Sequence, residues 1–347
     1  MKLLYLFLFI IIVNNENSCA QDVLIKGSVY PIPAIHYLTI LSSRDNPVSG
    51  SSNIVLVVPV DRVNKFNSKL TLKKPSLLYF QYGSRAYELF VSPRDTINID
   101  FLKKEKPDTV HSGNFTSYYF EKINVTGKNV EEIMFFDSLL TYTNRRFGNP
   151  LYPSESNLMV NDAINLIDQN YLNELDYLKV FSKRHDLSDE LIECANNEIR
   201  GDYILKNISQ ILRNEYNNEA IIRIKNKITE EKFTWAKCSV SRLFTVAAIM
   251  YVRFFLTEGY SLNKNIENRL QDQYNAICKN FNDDIELRNY LLTNLMERNL
   301  EKTPTNYKFY LNEYYKTCTN KEYIKGISDQ YQALLKKIDF GIDSVVS

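Results

Sequence analysis

Between residues 23 and 111 the apolar side chains come in short runs broken by turn formers. The runs at 23–30, 35–41, 54–60, 66–72, 77–82, 87–91 and 96–101 are rich in β-branched, leucine and aromatic residues, a composition that suits a pleated, half-buried strand. Between them stand Pro31-Ile32-Pro33, Asn46-Pro47, the Ser/Gly/Asn stretch 49–53, Gly83-Ser84 and Pro93-Arg94-Asp95. Proline fixes φ in such turns and glycine tolerates positive φ. Seven short strands with turns this frequent predict an antiparallel β-sandwich over residues 21–112. Strand order does not follow from the count.

After Ser112 the period of the apolar positions changes from two to about 3.6. Ile164, Ile167, Tyr171, Leu175, Leu178 and Phe181 recur every three or four residues, so they line one side of a helix. Further helices are predicted near 130–147, 188–214, 217–228, 239–257, 264–281, 284–301, 305–317 and 320–338. Thr319-Asn320-Lys321-Glu322 has the capping-box pattern that opens the last of these. Asp283 followed by Glu286 is a start signal of the same kind, and Pro304 separates two helices. At the His185-Asp186 break, Asp186 or Ser188 is expected to cap the next helix. Residues 113–347 are therefore expected to form an all-helical domain. A compact bundle is favoured over a regular solenoid, because no fixed repeat is present. The fold class is α+β, strands first and helices after.

Residues 1–20 have the build of a secretory signal: Lys2, an apolar run of eleven residues from Leu3 to Val13, then a polar stretch. The run is shorter than the ~20 residues of a membrane span. Ser18 and Ala20 place small residues for cleavage before Gln21. The rival reading is a lipoprotein, cleaved before Cys19 and acylated there. Ser18 fits that motif, whereas Glu16 stands where leucine is preferred. Both readings export the chain, to the periplasm or to the outer membrane as a lipoprotein, with a lipid anchor as the one membrane attachment. The next most apolar stretch, 243–256, is interrupted by Arg253 and suits a buried helix.

Lysine plus arginine number 42 against 41 acidic residues, a net charge of +1. That balance argues against a nucleic-acid partner, which would be held through phosphate contacts. Cys194, Cys238, Cys278 and Cys318 follow one another at gaps of 44, 40 and 40 residues, and the sequence has no Cys-x-x-Cys. They are read as buried thiols, with one structural disulfide as the alternative in an exported protein. His36, His111 and His185 form no metal-ligand spacing, and no Gly-rich phosphate loop occurs. No cofactor or metal is expected. His111-Ser112 is read as structural, since adjacent residues seldom face each other and no nucleophile elbow surrounds them. Glu131-Glu132, Glu230-Glu231 and Asp283-Asp284 lie near helix starts, where negative charge suits the helix dipole. Tyr118-Tyr119-Phe120 and the tyrosines from Tyr307 to Tyr315 are read as packing residues.

Six passages carry a family resemblance. Leu72-Lys-Lys-Pro-Ser-Leu-Leu-Tyr-Phe-Gln-Tyr82 and Tyr87-Glu-Leu-Phe-Val-Ser-Pro-Arg-Asp-Thr-Ile-Asn-Ile-Asp-Phe101 read as strands around a tight turn. His111-Ser-Gly-Asn-Phe-Thr-Ser-Tyr-Tyr-Phe120 reads as the start of a helix. This arrangement resembles the front part of the TlpA-type thiol-disulfide oxidoreductases of Bacteroidetes. Phe181-Ser-Lys-Arg-His-Asp-Leu-Ser188 resembles that family's His-x-Leu-Ser passage into a helix, and Phe309-Tyr310-Leu-Asn-Glu-Tyr-Tyr315 and Tyr323-Ile-Lys-Gly-Ile-Ser-Asp-Gln-Tyr331 resemble its closing helices before the thioredoxin domain. The turn here is Pro93-Arg94-Asp95 where the family usually shows Pro-Gly-Asp, a departure that bears on the tightness of the turn. The resemblance implies a β-domain, a helical region and then a thioredoxin domain with Cys-x-x-Cys; this chain reaches Ser347 where that last domain would begin. No catalytic residue is assigned. The expectation is a non-catalytic cell-envelope module that binds or scaffolds. The alternatives are an accessory of a thiol-disulfide relay that docks a separate thioredoxin-like protein, or a truncated oxidoreductase.

Overall fold

The computed structural model describes residues 20–32, 34–42, 54–83, 85–112, 115–142, 159–213, 218–229, 242–257, 266–300 and 306–339. Eight strands, β1 (Gln21–Val29), β2 (Tyr37–Ser42), β3 (Ile54–Pro59), β4 (Lys65–Leu72), β5 (Ser76–Tyr82), β6 (Arg85–Val91), β7 (Thr96–Ser112) and β8 (Phe115–Gly127), form two four-stranded sheets. Their orders are β4-β1-β7-β8 and β3-β2-β5-β6. Alternate residues of each strand point inward: Val23 and Ile25 of β1, Ile97, Ile99 and Phe101 of β7, Leu38 and Ile40 of β2, Phe80 and Tyr82 of β5. They interleave into one core. Phe101 is its hub, with Tyr82, Tyr87 and Phe66 rings at 5.6, 6.0 and 6.3 Å. The Tyr82 hydroxyl donates to the Tyr30 carbonyl at 2.8 Å, so burying the ring leaves no polar atom stranded.

The expected sandwich is thus present, with three differences. The pairing is antiparallel except between β1 and β7, which run parallel from Leu24↔Thr96 to Val29↔Phe101. A parallel pair needs a long crossover, and β2 to β6 supply it. Second, β7 continues past Phe101 to Ser112, and β8 returns along it from Ser112↔Phe115 to Ile97↔Gly127. The helix expected after Ser112 is therefore a strand, and the sheet extends beyond residue 112 to Gly127. Residues 115–125 are dense in aromatic and β-branched types, which favour strand. As sequence, Gly113-Asn114 is also a hairpin signal. Third, the 92–95 turn is closed without glycine. Arg94 adopts φ 73°, Asp95 N–H donates to the Ser92 carbonyl at 3.2 Å, and Ser92 N–H donates to Asp95 Oδ2 at 2.7 Å. These bonds offset a left-handed residue costing roughly 1–2 kcal/mol.

Ten helices follow among the described residues: α1 (Val130–Ile133), α2 (Phe135–Tyr142), α3 (Val160–His185), α4 (Asp189–Arg213), α5 (Asn218–Thr229), α6 (Arg242–Tyr251, running into a π turn Val252–Leu256), α7 (Ile266–Asn280), α8 (Ile285–Leu300), α9 (Tyr307–Thr317) and α10 (Lys321–Asp339). The stripe read from α3 faces inward, with Ile164, Ile167 and Leu178 buried and Tyr171, Leu175 and Phe181 partly so. Ser188 caps α4, accepting the Leu191 N–H at 3.2 Å. Two caps sit one residue later than expected. Asn320, not Thr319, accepts the Glu322 and Tyr323 amides at 3.0 and 3.1 Å; Asp284, not Asp283, accepts the Leu287 amide at 3.1 Å. Pro304 lies outside the described residues. Gly201 of α4 lets the α6 backbone come close: a Cβ there would stand 2.8 Å from the Cα and N of Phe244.

The two halves share a core. Leu77 and Phe90, opposite each other on β5 and β6, point away from the sandwich and join the main helical cluster. Phe90 packs on Phe136 with ring centroids 6.5 Å apart. Phe135 stands 5.3 Å from both Phe136 and Phe181, and 6.2 Å from Tyr177. An ion pair between Lys74 and Glu286, at 3.0 Å, lies beside this seam. The sheet β3-β2-β5-β6 is thus a middle layer, with the second sheet on one face and helices over the β5–β6 part of the other.

Candidate functional site

Cys194 of α4 and Cys318, which ends α9, are buried, and Cys278 of α7 is half-buried. None of the three is in a disulfide. Cys19 and Cys238 lie outside the described residues. Burial pushes the Cys278 thiol up, against the opposing pull of the Arg288 charge and a hydrogen bond with Tyr274. A raised thiol holds its proton and is a poor nucleophile. Cys318 Sγ points to the Asn320 carbonyl at 3.8 Å.

The tyrosines around these thiols are packing residues with anchored hydroxyls. Tyr274 OH donates to Thr317 Oγ1 at 3.1 Å and Tyr307 OH to the Met296 carbonyl at 3.1 Å. Tyr314 OH meets Thr293 Oγ1 at 2.9 Å. Thr293 in turn donates to the Asn289 carbonyl at 2.6 Å, and Asn289 Nδ2 to Thr319 Oγ1 at 2.9 Å. This buried network ties α8 to α9 and to the start of α10. Desolvation raises all three phenols, Tyr274 to about 12. The side chains of Tyr118, Tyr119 and Phe120 are outside the description, although β8 holds their backbone.

The histidines are dispersed. His36 is exposed before β2, His111 occupies β7 opposite Thr116, and His185 ends α3 with its ring 4.3 Å from Phe181. Among the described residues no group of histidine, cysteine and carboxylate side chains is placed to hold a metal ion, and no helix is long and apolar enough to cross a membrane. Glu230 and Glu231 lie outside the described residues.

Three carboxylates do converge where the sandwich meets the helices. Glu132 of α1 accepts a short hydrogen bond from Ser188 Oγ. Burial holds the Glu132 carboxyl above its usual 4.5, and the charges of Asp95 and Glu190 add to the rise, against the Ser188 bond. Asp95 is raised too, mainly by burial, opposed by the Ser92 amide and the Lys128 charge. A raised carboxyl binds its proton more tightly in the folded chain than in the unfolded one. Its contribution is therefore fully present below about pH 4.5 and is lost as pH rises through the folded value. Glu132→Gln keeps an acceptor for Ser188 without the charge. The variant's melting temperature should exceed that of the parent at pH 7, and the gap should close near pH 4 in a thermal melt series.

Among the described residues an open polar concavity lies on the other side of the sandwich. Across β4, β1 and β7 the outward positions form two rows, set by the strand register. Asn67, Lys26 and Asn98 make one; Lys65, Ser28 and Asp100 make the other. With Pro59 and Asp61 as a wall they line a groove of about 660 Å³. Ser28 Oγ donates to Asp100 Oδ1 at 2.6 Å. Asp61 Oδ1 accepts the Val63 and Lys65 amides at 2.9 and 2.8 Å, which fixes the wall. Two ammonium groups, two carboxylates and two carboxamides give the groove no net charge. It is equipped to hydrogen-bond a polar ligand and not to select an ion by charge. Sequence reading did not single it out, because alternate polar residues mark the solvent face of any strand. No family model matches this chain, and no curated protein matches it either.

Proposed function

We propose that the protein is a non-catalytic exported module of the cell envelope that binds or scaffolds, related in build to the front part of the TlpA-type proteins. The observation that carries this reading is the placement of the thiols. Cys194 and Cys318 are packed into the helical core, and Cys278 is half-buried with its thiol raised. Thiol chemistry asks for the reverse, an accessible sulfur with a lowered pKa. A groove over β4, β1 and β7 offers accessible polar groups among the described residues, which suits recognition of a polar ligand.

The test is turnover. Purified mature protein, with dithiothreitol as electron source, should reduce insulin disulfides no faster than a buffer blank. Sustained reduction well above that blank, lost on alkylation of the protein, would overturn the reading.

A further inference from the structure

Strand edges are where chains join one another, and folded proteins blunt them with charge, with covering elements or with bends. Three of the four edges here are treated in that way. β4 carries Lys65 and Lys69, and β8 carries Glu121 and Lys122. β6 carries Arg85 and Glu88 and is covered by α1 and α2. The fourth edge is β3, Ile54-Val-Leu-Val-Val-Pro59, which has no charged residue. Among the described residues it pairs only with β2.

Its outward side is also apolar. Ile54 is 49% exposed, Val55 40% and Val57 50%, and the neighbouring Tyr37 of β2 is 52% exposed. The backbone is ready for another strand. The Val60 amide donates to the His36 carbonyl at 2.9 Å. By the alternation of an antiparallel ladder, Val58 and Leu56 then face β2, while the backbone groups of Val57 and Pro59 face away. Pro59 has no N–H to leave without a partner, which is why proline is tolerated at a sheet edge.

We infer that β3 is the pairing edge of a symmetric dimer, joined antiparallel to β3 of a second copy. The outward-facing backbone groups of Val57 and Pro59 call for an extended strand, and β3 is its own complement. About a twofold axis it sets Ile and Val side chains against Ile and Val, a favourable cross-strand match, and no charge meets its like. The exposed side chains, with Val63 in the next turn at 68%, offer apolar area on the order of 400 Å² per copy, within the range of the largest, often functional, patch of a monomer. Two such patches with their paired backbones bury roughly 1,000 Å², the lower bound of a specific interface. The dimer is a closed pair, as isologous contacts are, and the two middle sheets become one of eight strands.

Sedimentation velocity on the full mature chain over a concentration series, with hydrogen exchange on β3, tests this. The expected result is a monomer–dimer equilibrium in which protection of the Val57 amide rises with the dimer fraction. Val57→Lys places two ammonium groups across the twofold axis and should raise the dissociation constant more than roughly tenfold. Leu172→Lys, on an exposed position of α3, should leave it unchanged, and circular dichroism of both variants should match the parent. A chain that stays monomeric throughout, or a dimer that Val57→Lys does not weaken, would overturn the inference. So would a Val57 amide protected only by a co-purifying foreign strand.

Discussion

Alanine at position 27 will cost the protein about 4 kcal/mol or more, enough to prevent accumulation of folded chain at 37 °C. Gly27 lies in β1, between β4 and β7, opposite Phe66 on one side and Ile99 on the other. A Cβ added there would fall 1.8 Å from the Ile99 carbonyl oxygen and 2.7 Å from its carbonyl carbon. Both are backbone atoms, so no rotamer change relieves the clash. β1 would have to leave the ladder it shares with β7, and it carries Val23, Ile25 and Val29 of the sandwich core. Denaturant unfolding of Gly27→Ala beside Lys26→Ala decides the matter. The second change is on an exposed side chain and should stay within about 0.5 kcal/mol of the parent. A loss below about 1 kcal/mol for Gly27→Ala would mean that the two strands are not this close.

Phe135→Ala should cost about 3–5 kcal/mol, the usual range for truncating a fully buried phenylalanine. Its ring contacts Phe136, Tyr177 and Phe181 at the place where the sandwich meets the helices. The cavity opens inside the shared core, so the effect should reach beyond total stability. The parent is expected to melt in a single calorimetric transition. In the variant the link between the halves is weakened, and the trace should split in two. A variant that still melts in one step, with its midpoint within about 2 °C of the parent, would show that the seam does not couple the halves.

Where the pattern in the chain is local, it was legible. The α3 stripe from Ile164 to Phe181 follows from spacing alone, because one helix face collects residues three and four apart. The turn at 92–95 was legible as a turn, and the structure adds that Arg94 takes the conformation glycine would take more cheaply. The two displaced caps, Asn320 and Asp284, reflect neighbouring residues able to serve equally well. Pairing between distant strands was not legible. The parallel match of β1 with β7 depends on where the chain arrives after five intervening strands. For β8, Gly113-Asn114 suits both a hairpin and a helix start, and the run from Phe115 mixes residue types that fit either.

The sequence does carry one sign of the middle layer. Leu77 and Leu78 are adjacent in β5 and both buried, so that strand has no solvent face at this point, and a sheet covered on both sides reads as continuous apolar sequence. The groove left no such sign. Its residues matter through register, which brings Asn67, Lys26 and Asn98 into one line. The thiols were read as buried within helices; that Cys278 stays half-buried depends on packing that spacing does not carry.

The position of β5 sets how this protein could be divided. A break after Gly127 would strip the cover from Leu77 and Phe90 and turn a core into an oily surface. The strand-built half is therefore no portable unit. Grafted onto another protein, it would stay soluble only if the new host supplied aromatic residues to stand in for Phe135 and Phe136, or if both exposed positions were recast as polar ones.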